Sequence, residues 1–328
     1  MNIKKIGMTA LAASLVSTSV FAGELTATGS ASLAFEGYSG SILQSDSAFS
    51  MADSVTLSGS TELDNGMTVT MAFELDGDAE SDTSAYDDNS LTISSDSMGT
   101  LKFSAHGGST ASSALDATAA GDIWDNFDGA TATASGLTTA GAGLKAAAAG
   151  ENSFFYTLPS MVDGLAVSAS LNTTGTTGNS SLGYSASYTG VEGLSVSYGI
   201  ADINSGATAT DGDQTVMKAS YAYGPVTASY SHNEYATGAN NTTALGQEVT
   251  SYAVSYTVSD AISVTYGTDS IESALSTATD AEYEKISASY TSGGMTLSVT
   301  SADGENINHG TDANQDYEYW SLGLAFAF

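Results

Sequence analysis

Four carboxylates, Asp116, Asp122, Asp125 and Asp128, are spaced 6, 3 and 3 residues apart within Gly107 to Gly150, a 44-residue stretch with little strand pattern. Crowded carboxylates hold a negative potential that concentrates cations and repels anions. A second run, Asp76, Asp78, Glu80 and Asp82, has acids at every second position and offers oxygen ligands for weak calcium binding. It lacks the ordered ligand pattern of an EF-hand. Turnover chemistry needs a nucleophile or water activated by a base that is itself oriented, and no local pattern supplies one. His106, His232 and His309 lie far apart, without Cys or paired acids at metal spacing. Gly141-Ala142-Gly143-Leu144-Lys145 lacks the spacing and the strand-to-helix setting of a phosphate loop. The chain therefore reads as a non-enzyme, with no cofactor beyond loop-bound Ca²⁺.

The elements that must position these acids are strands. Residues 24–328 contain stretch after stretch of period-two alternation rich in Ser, Thr and β-branched residues, with only 2 Pro in the chain. Met1 to Ala22 differs: Lys4 and Lys5 precede an apolar and small-residue run that ends Val20-Phe21-Ala22, the layout of a cleaved secretory signal. The expected organisation is a signal at 1–22 and one unit at 23–328. That unit holds four lysines, no arginine and all 37 acids, a net −33 with histidines neutral. Nucleic acid is excluded as a partner, because phosphate binding needs a basic footprint. Most of this charge is expected in exposed loops. The chain has no Cys, so disulfides contribute nothing.

Five tyrosines, Tyr156, Tyr188, Tyr223, Tyr256 and Tyr290, recur at 32, 35, 33 and 34 residues, each just ahead of a short turn. The same template over the whole chain predicts sixteen strands, from 24–37 to 316–328, joined alternately by short and long connections. An even count with short turns at one end describes an all-β, sixteen-stranded antiparallel transmembrane barrel with a water-filled lumen. Closure is required, since an open sheet edge in hydrocarbon leaves backbone groups unpaired at several kcal/mol each. Strand parity points Glu36, Glu62, Glu74, Lys102, Lys218 and Lys285 into the lumen and places each histidine in lumen or loop. The tyrosines, with Phe328 as sixth member, form an aromatic girdle beside the short turns. The last strand is expected to close on Leu25 to Phe35.

A strand alternating Trp320, Leu322, Leu324, Phe326 and ending on Phe328 resembles the assembly signal of bacterial outer-membrane barrels. The run Leu91 to Phe103, the long connection, and Asn152 to Leu165 resemble the general bacterial porins, particularly the alphaproteobacterial type. The resemblance implies a homotrimer in the outer membrane, a passive diffusion channel for small hydrophilic solutes and ions. It also implies that the connection 107–150 folds inward as a constriction, with Asp116, Asp122, Asp125 and Asp128 at the narrowing, Trp124 and Phe127 shaping it, and Lys102 opposite. Implied partners are outer-membrane lipid, lipopolysaccharide and, through the C-terminal strand, the barrel assembly machinery. The chain departs from the family in lacking arginines opposite the loop, so a strong transverse field is not expected; a modest cation preference is. Ala27, Gly29, Ala31 and Gly59 permit close packing between copies. A surface adhesin or surface-layer protein shares the composition, and a barrel enzyme shares the architecture. The first does not account for the terminal aromatic, and the second has no recognisable site.

Overall fold

Side chains that alternate large apolar with small polar can satisfy lipid on one face and water on the other only if the sheet has no edge. The computed structural model describes residues 24–40, 47–76, 87–127, 152–173, 179–205, 212–237, 246–274, 279–309 and 316–328. Its strands are β1 (Glu24–Gly40), β2 (Ser47–Glu62), β3 (Thr68–Asp76), β4 (Asn89–Ser95), β5 (Gly99–His106), β6 (Ser153–Thr157), β7 (Leu165–Thr173) and β8 (Asn179–Tyr188). They continue as β9 (Leu194–Ser205), β10 (Gly212–Tyr223), β11 (Val226–Thr237), β12 (Gln247–Ser259), β13 (Ile262–Ser273), β14 (Ala281–Ser292), β15 (Met295–Glu305) and β16 (Tyr317–Ala327). Each pairs antiparallel with its neighbours, and β1 pairs with β16 to close a sixteen-stranded barrel, the predicted fold. The expected segment 1–22, Asp78, Glu80, Asp82, Asp128 and Lys145 lie outside the described residues.

Six of the seven short turns hold a glycine with positive φ, among them Gly66 at +78° and Gly224 at +57°, a conformation in which an L side chain is strained. The seventh, between β12 and β13, is reached through a register shift between Thr257 and Ser259. The seam differs from the expected one. Phe326 pairs with Ala31 and Tyr317 with Gly40, so the last strand lies on residues 29–40 and the start of β1 pairs only with β2. Strand tilt and stagger in a closed barrel require such an overhang. Two backbone bonds complete the seam, Gly29 N–H to the Phe328 carbonyl at 2.7 Å and Phe328 N–H to the Gly29 carbonyl at 3.0 Å.

Outward positions carry exposed Leu, Val, Ile, Met and aromatic side chains, and all six girdle residues stand on this face next to the short turns. At the other end of the strands the outer face turns acidic: Glu234, Glu248 and Glu272 are cross-strand neighbours, as are Glu284, Asp303 and Glu318. The acidic charge therefore starts on the strands themselves, not only in loops, and it bounds the apolar belt. His232 also faces outward, its Nδ1 3.2 Å from Thr250 Oγ1, contrary to the lumen-or-loop expectation, because β11 turns Tyr230, His232 and Glu234 to the same side. Inside, hydroxyls pair across strands: Ser60 with Thr70, Thr157 with Ser168, Ser187 with Ser197, and Ser255 with Thr265, at 2.8–3.1 Å. Such pairs leave the wall hydrophilic while ordering it.

Candidate functional site

After β5 the chain enters the barrel at Gly107 and runs along the inner wall. Ala111 N–H reaches Ser170 Oγ on β7 at 2.7 Å, and the Ser112 hydroxyl donates to Gln214 Oε1 on β10 at 2.8 Å. Asn233 Nδ2 on β11 donates to the Asp116 carbonyl. Ala119 N–H reaches Ser231 Oγ at 2.8 Å, Ala120 N–H reaches Ser251 Oγ at 2.9 Å, and Ile123 N–H reaches Asp269 Oδ2 on β13 at 2.8 Å. The described part of the loop has little secondary structure of its own, so its buried N–H groups are satisfied by side chains of the wall. At the end of its described part Phe127 packs against Tyr283 on β14 and Tyr319 on β16, ring centroids 5.6 and 6.2 Å away.

The buried core of the molecule lies between loop and wall. Ile123, Trp124 and Phe127 join Val249, Ile271, Tyr283 and Tyr319 in one cluster, the last four being inward-facing residues of strands. Inward residues of β1–β4 are none of them buried, so the open side of the lumen is the wall of the first strands. The described part of the loop covers the wall from β7 round to β16.

This division sorts the expected site residues. Glu36, Glu62, Glu74 and Lys102 point inward from the uncovered wall. Glu36 Oε2 accepts the Tyr319 hydroxyl at 3.0 Å. Lys102 lies within electrostatic reach of Asp88, whose carboxyl sits over Gly107 at the mouth of the loop; burial pushes that carboxyl above the usual range, and Lys102 partly opposes the rise. Lys218 and Lys285 face inward but stand beneath the loop. Their ammonium groups donate to the carbonyls of Ala117 at 2.6 Å and Gly121 at 3.1 Å, so they hold the loop down and are not free lumen charges.

Among the loop acids, Asp125 is exposed and Asp122 half-buried. Asp122 Oδ1 accepts Thr118 N–H at 2.8 Å while Asp122 N–H donates to Thr118 Oγ1 at 2.8 Å, a closed turn that accounts for its φ of +44°. Asp116 Oδ2 accepts from Gln214 Nε2 at 3.3 Å. Its carboxyl is pushed up to about 6, mainly by burial, with the Asp122 charge adding and Gln214 and Lys218 opposing. The polar wall residues Gln214, Asn233, Ser231, Ser251 and Asp269 were not singled out from the sequence. Their signal was available as inward parity on consecutive strands, but the path of the loop that gives them a purpose was not. Asp76, at the end of β3, is the one member of the expected calcium run within the described residues, and no group of three or more His, Cys, Asp or Glu placed to hold a metal occurs among those residues.

A closed barrel with an apolar exterior, a hydroxyl-lined interior and a loop packed inside it defines a transmembrane pore. The chain belongs to the Gram-negative porin family, whose model matches residues 7–328. It is an outer-membrane porin. Solved structures that it resembles include an anion-selective porin from Comamonas acidovorans, 15% identical with TM-score 0.67, covering 93% of this chain and 100% of that one. A variant of the Rh. blastica porin is 16% identical with TM-score 0.63 and the same coverage. OmpF of Salmonella typhi, in complex with daunomycin, is 13% identical with TM-score 0.64, covering 94% of this chain and 98% of that one. At these identities the likeness is one of fold. No curated protein sequence matches the chain.

Proposed function

We propose that this porin is a passive diffusion channel for small hydrophilic solutes and ions with a modest cation preference, and that its chemistry is confined to electrostatics at the narrowing. The observation that carries the reading is the fate of the lysines. Lys218 and Lys285 are bound to loop carbonyls, which leaves Lys102, close to Asp88, as the described cation on the open wall beside Glu36, Glu62 and Glu74. A cation about 5 Å from one carboxylate in water gains about 0.8 kcal/mol, roughly a fourfold enrichment before salt screening, and an anion is depleted similarly. The Comamonas acidovorans structure is described as anion-selective on a similar barrel, so the barrel itself does not determine the sign. Reversal potentials across a salt gradient in planar bilayers test the reading. Cation preference is expected, falling in Asp122→Asn with Asp125→Asn; anion preference, or no change in the double variant, would refute it.

A homotrimer in outer-membrane lipid and lipopolysaccharide is the expected assembly. Ala27, Gly29, Ala31 and Gly59 all stand on the outer face of β1 and β2, where Asp53 is the single outward acid, whereas the outer faces of β9–β16 carry the acidic rows. Migration as a monomer under all mild detergent conditions would count against it.

A further inference from the structure

Asp269 has no exposed surface at all, yet it is a carboxylate on the lumen face of a membrane strand. Burying a charge is costly unless it is paired and hydrogen-bonded, so its partners identify what it is for. Oδ2 accepts the Ile123 N–H at 2.8 Å and the Thr118 hydroxyl at 3.3 Å. Both of these donors belong to the loop; from the wall, the Ser251 side chain on β12 adds a further hydrogen bond, and Ser251 in turn accepts from the loop's Ala120 N–H. Around Asp269 the ladders of β13 with β12 and β14 run unbroken through backbone groups, so the barrel does not need an acid here. Thr118 and Asp122 are the two ends of the closed turn, and Ile123 follows it directly, so Asp269 grips the turn at both ends.

The rest of the contact is arranged around this grip. Two residues earlier on β13, Gly267 lets Ala120 approach so closely that an added Cβ would stand 2.6 Å from the Ala120 Cβ. Lys285, opposite Gly267 on β14, donates to the Gly121 carbonyl and lies within electrostatic reach of Asp269. Ala119 and Ala120 are held by Ser231 and Ser251. Residues 118–123 are thus held along the wall, with the half-buried Asp122 inside the segment so fixed and the exposed Asp125 two residues beyond it.

We propose that Asp269 is a positioning residue of the constriction: it does not meet the permeating solute but sets where the acidic turn 118–125 stands, and through it the conductance and selectivity of the pore. The proposal rests on the reading that the loop narrows the passage.

Single-channel recording of Asp269→Leu and Asp269→Asn in planar bilayers tests it, with heat-modifiable gel migration to report a folded barrel. Asn keeps an acceptor for Ile123 N–H and Thr118 while removing the charge; Leu removes both. Leu is expected to raise the frequency of partial closures about tenfold and to lower cation preference, as loss of two hydrogen bonds to a buried acceptor should, while Asn stays close to the native record. Thr118→Val, which removes one of the two loop donors to Asp269 together with the Asp122 N–H bond of the turn, is expected to shift the record part of the way toward Leu and serves if Asp269→Leu does not fold. Equal changes in Leu and Asn would make Asp269 an electrostatic residue and overturn the proposal, as would native behaviour of both Leu and Thr118→Val. Native protein without conductance steps would overturn the channel reading itself, and the proposal with it; steps in the native protein with an unaltered Leu variant would overturn only the positioning role.

Discussion

Adding side chain at Gly267 should push the loop into the passage without opening the barrel. An added Cβ would lie 2.6 Å from the Ala120 Cβ, 3.2 Å from the Ala120 Cα and 3.3 Å from the Tyr252 carbonyl. Carbon atoms settle at about 3.5–4.0 Å, so alanine demands a retreat of about 1 Å, and valine more. Either the strand or the loop must give way. Gly267 is paired with Ala253 and Lys285 in stretches of two ladders that are unbroken there, whereas Ala120 is held at 2.9 Å by one serine and Ile123 at 2.8 Å by one carboxylate. A 1 Å retreat takes both loop bonds beyond hydrogen-bonding range, at about 1–3 kcal/mol for each buried donor left unmade. Breaking ladder bonds at the lipid boundary costs several kcal/mol per group, so the loop moves. Gly267→Ala and Gly267→Val are therefore expected to fold and insert, with conductance and the size limit for neutral sugars falling in that order. The assay is single-channel conductance with liposome swelling over a graded sugar series. Native conductance and size limit in a correctly folded Gly267→Val barrel would refute the placement of Ala120 on β13 or the loop as the narrowest section.

Two further outcomes follow from the electrostatics and the seam. Asp116 is raised to about 6 in the folded protein from 3.8, so its ionisation opposes the folded loop: the penalty is absent below about pH 4, grows as the pH rises through the interval, and is complete above about pH 6. Cation preference should accordingly fall as the pH is lowered from about 7.5 to about 5, with a step near 6 that Asp116→Asn removes; an identical titration in that variant would refute the assignment. Deleting Phe328 removes both seam bonds to Gly29, whereas Phe328→Ala removes only the ring that covers Gly29. Deletion should therefore lower the temperature at which the folded band is lost on gels further than Ala does, by the equivalent of about 1–3 kcal/mol for two bonds, and equal losses would assign the stabilisation to the ring.

The barrel was legible because its rule is local. Period two runs through Leu194 to Tyr198, Met295 to Val299 and Trp320 to Phe328, and each puts large side chains outward as parity predicts. The same rule turned Glu36, Glu62, Glu74 and Lys102 inward correctly. The seam was set too early on β1 because parity fixes a face but not a stagger, which depends on closing all sixteen strands together.

The interior was less legible for a different physical reason. Val216, Val249 and Ile271 occupy inward positions that an alternating code reserves for polar residues, and they are fully buried. They are inward and apolar because the loop, not water, covers them. Local period determines which face a side chain takes; what covers that face is a non-local fact. Lys285 illustrates the consequence: parity places it in the lumen, but its charge is spent on a loop carbonyl and on reach to Asp269, so a census of inward charges overstates the positive side of the pore. Once the covered wall is set aside, the charges left among the described residues to face the open lumen are those of β1–β5 and the exposed edge of the loop, and in that smaller set the acids outnumber Lys102.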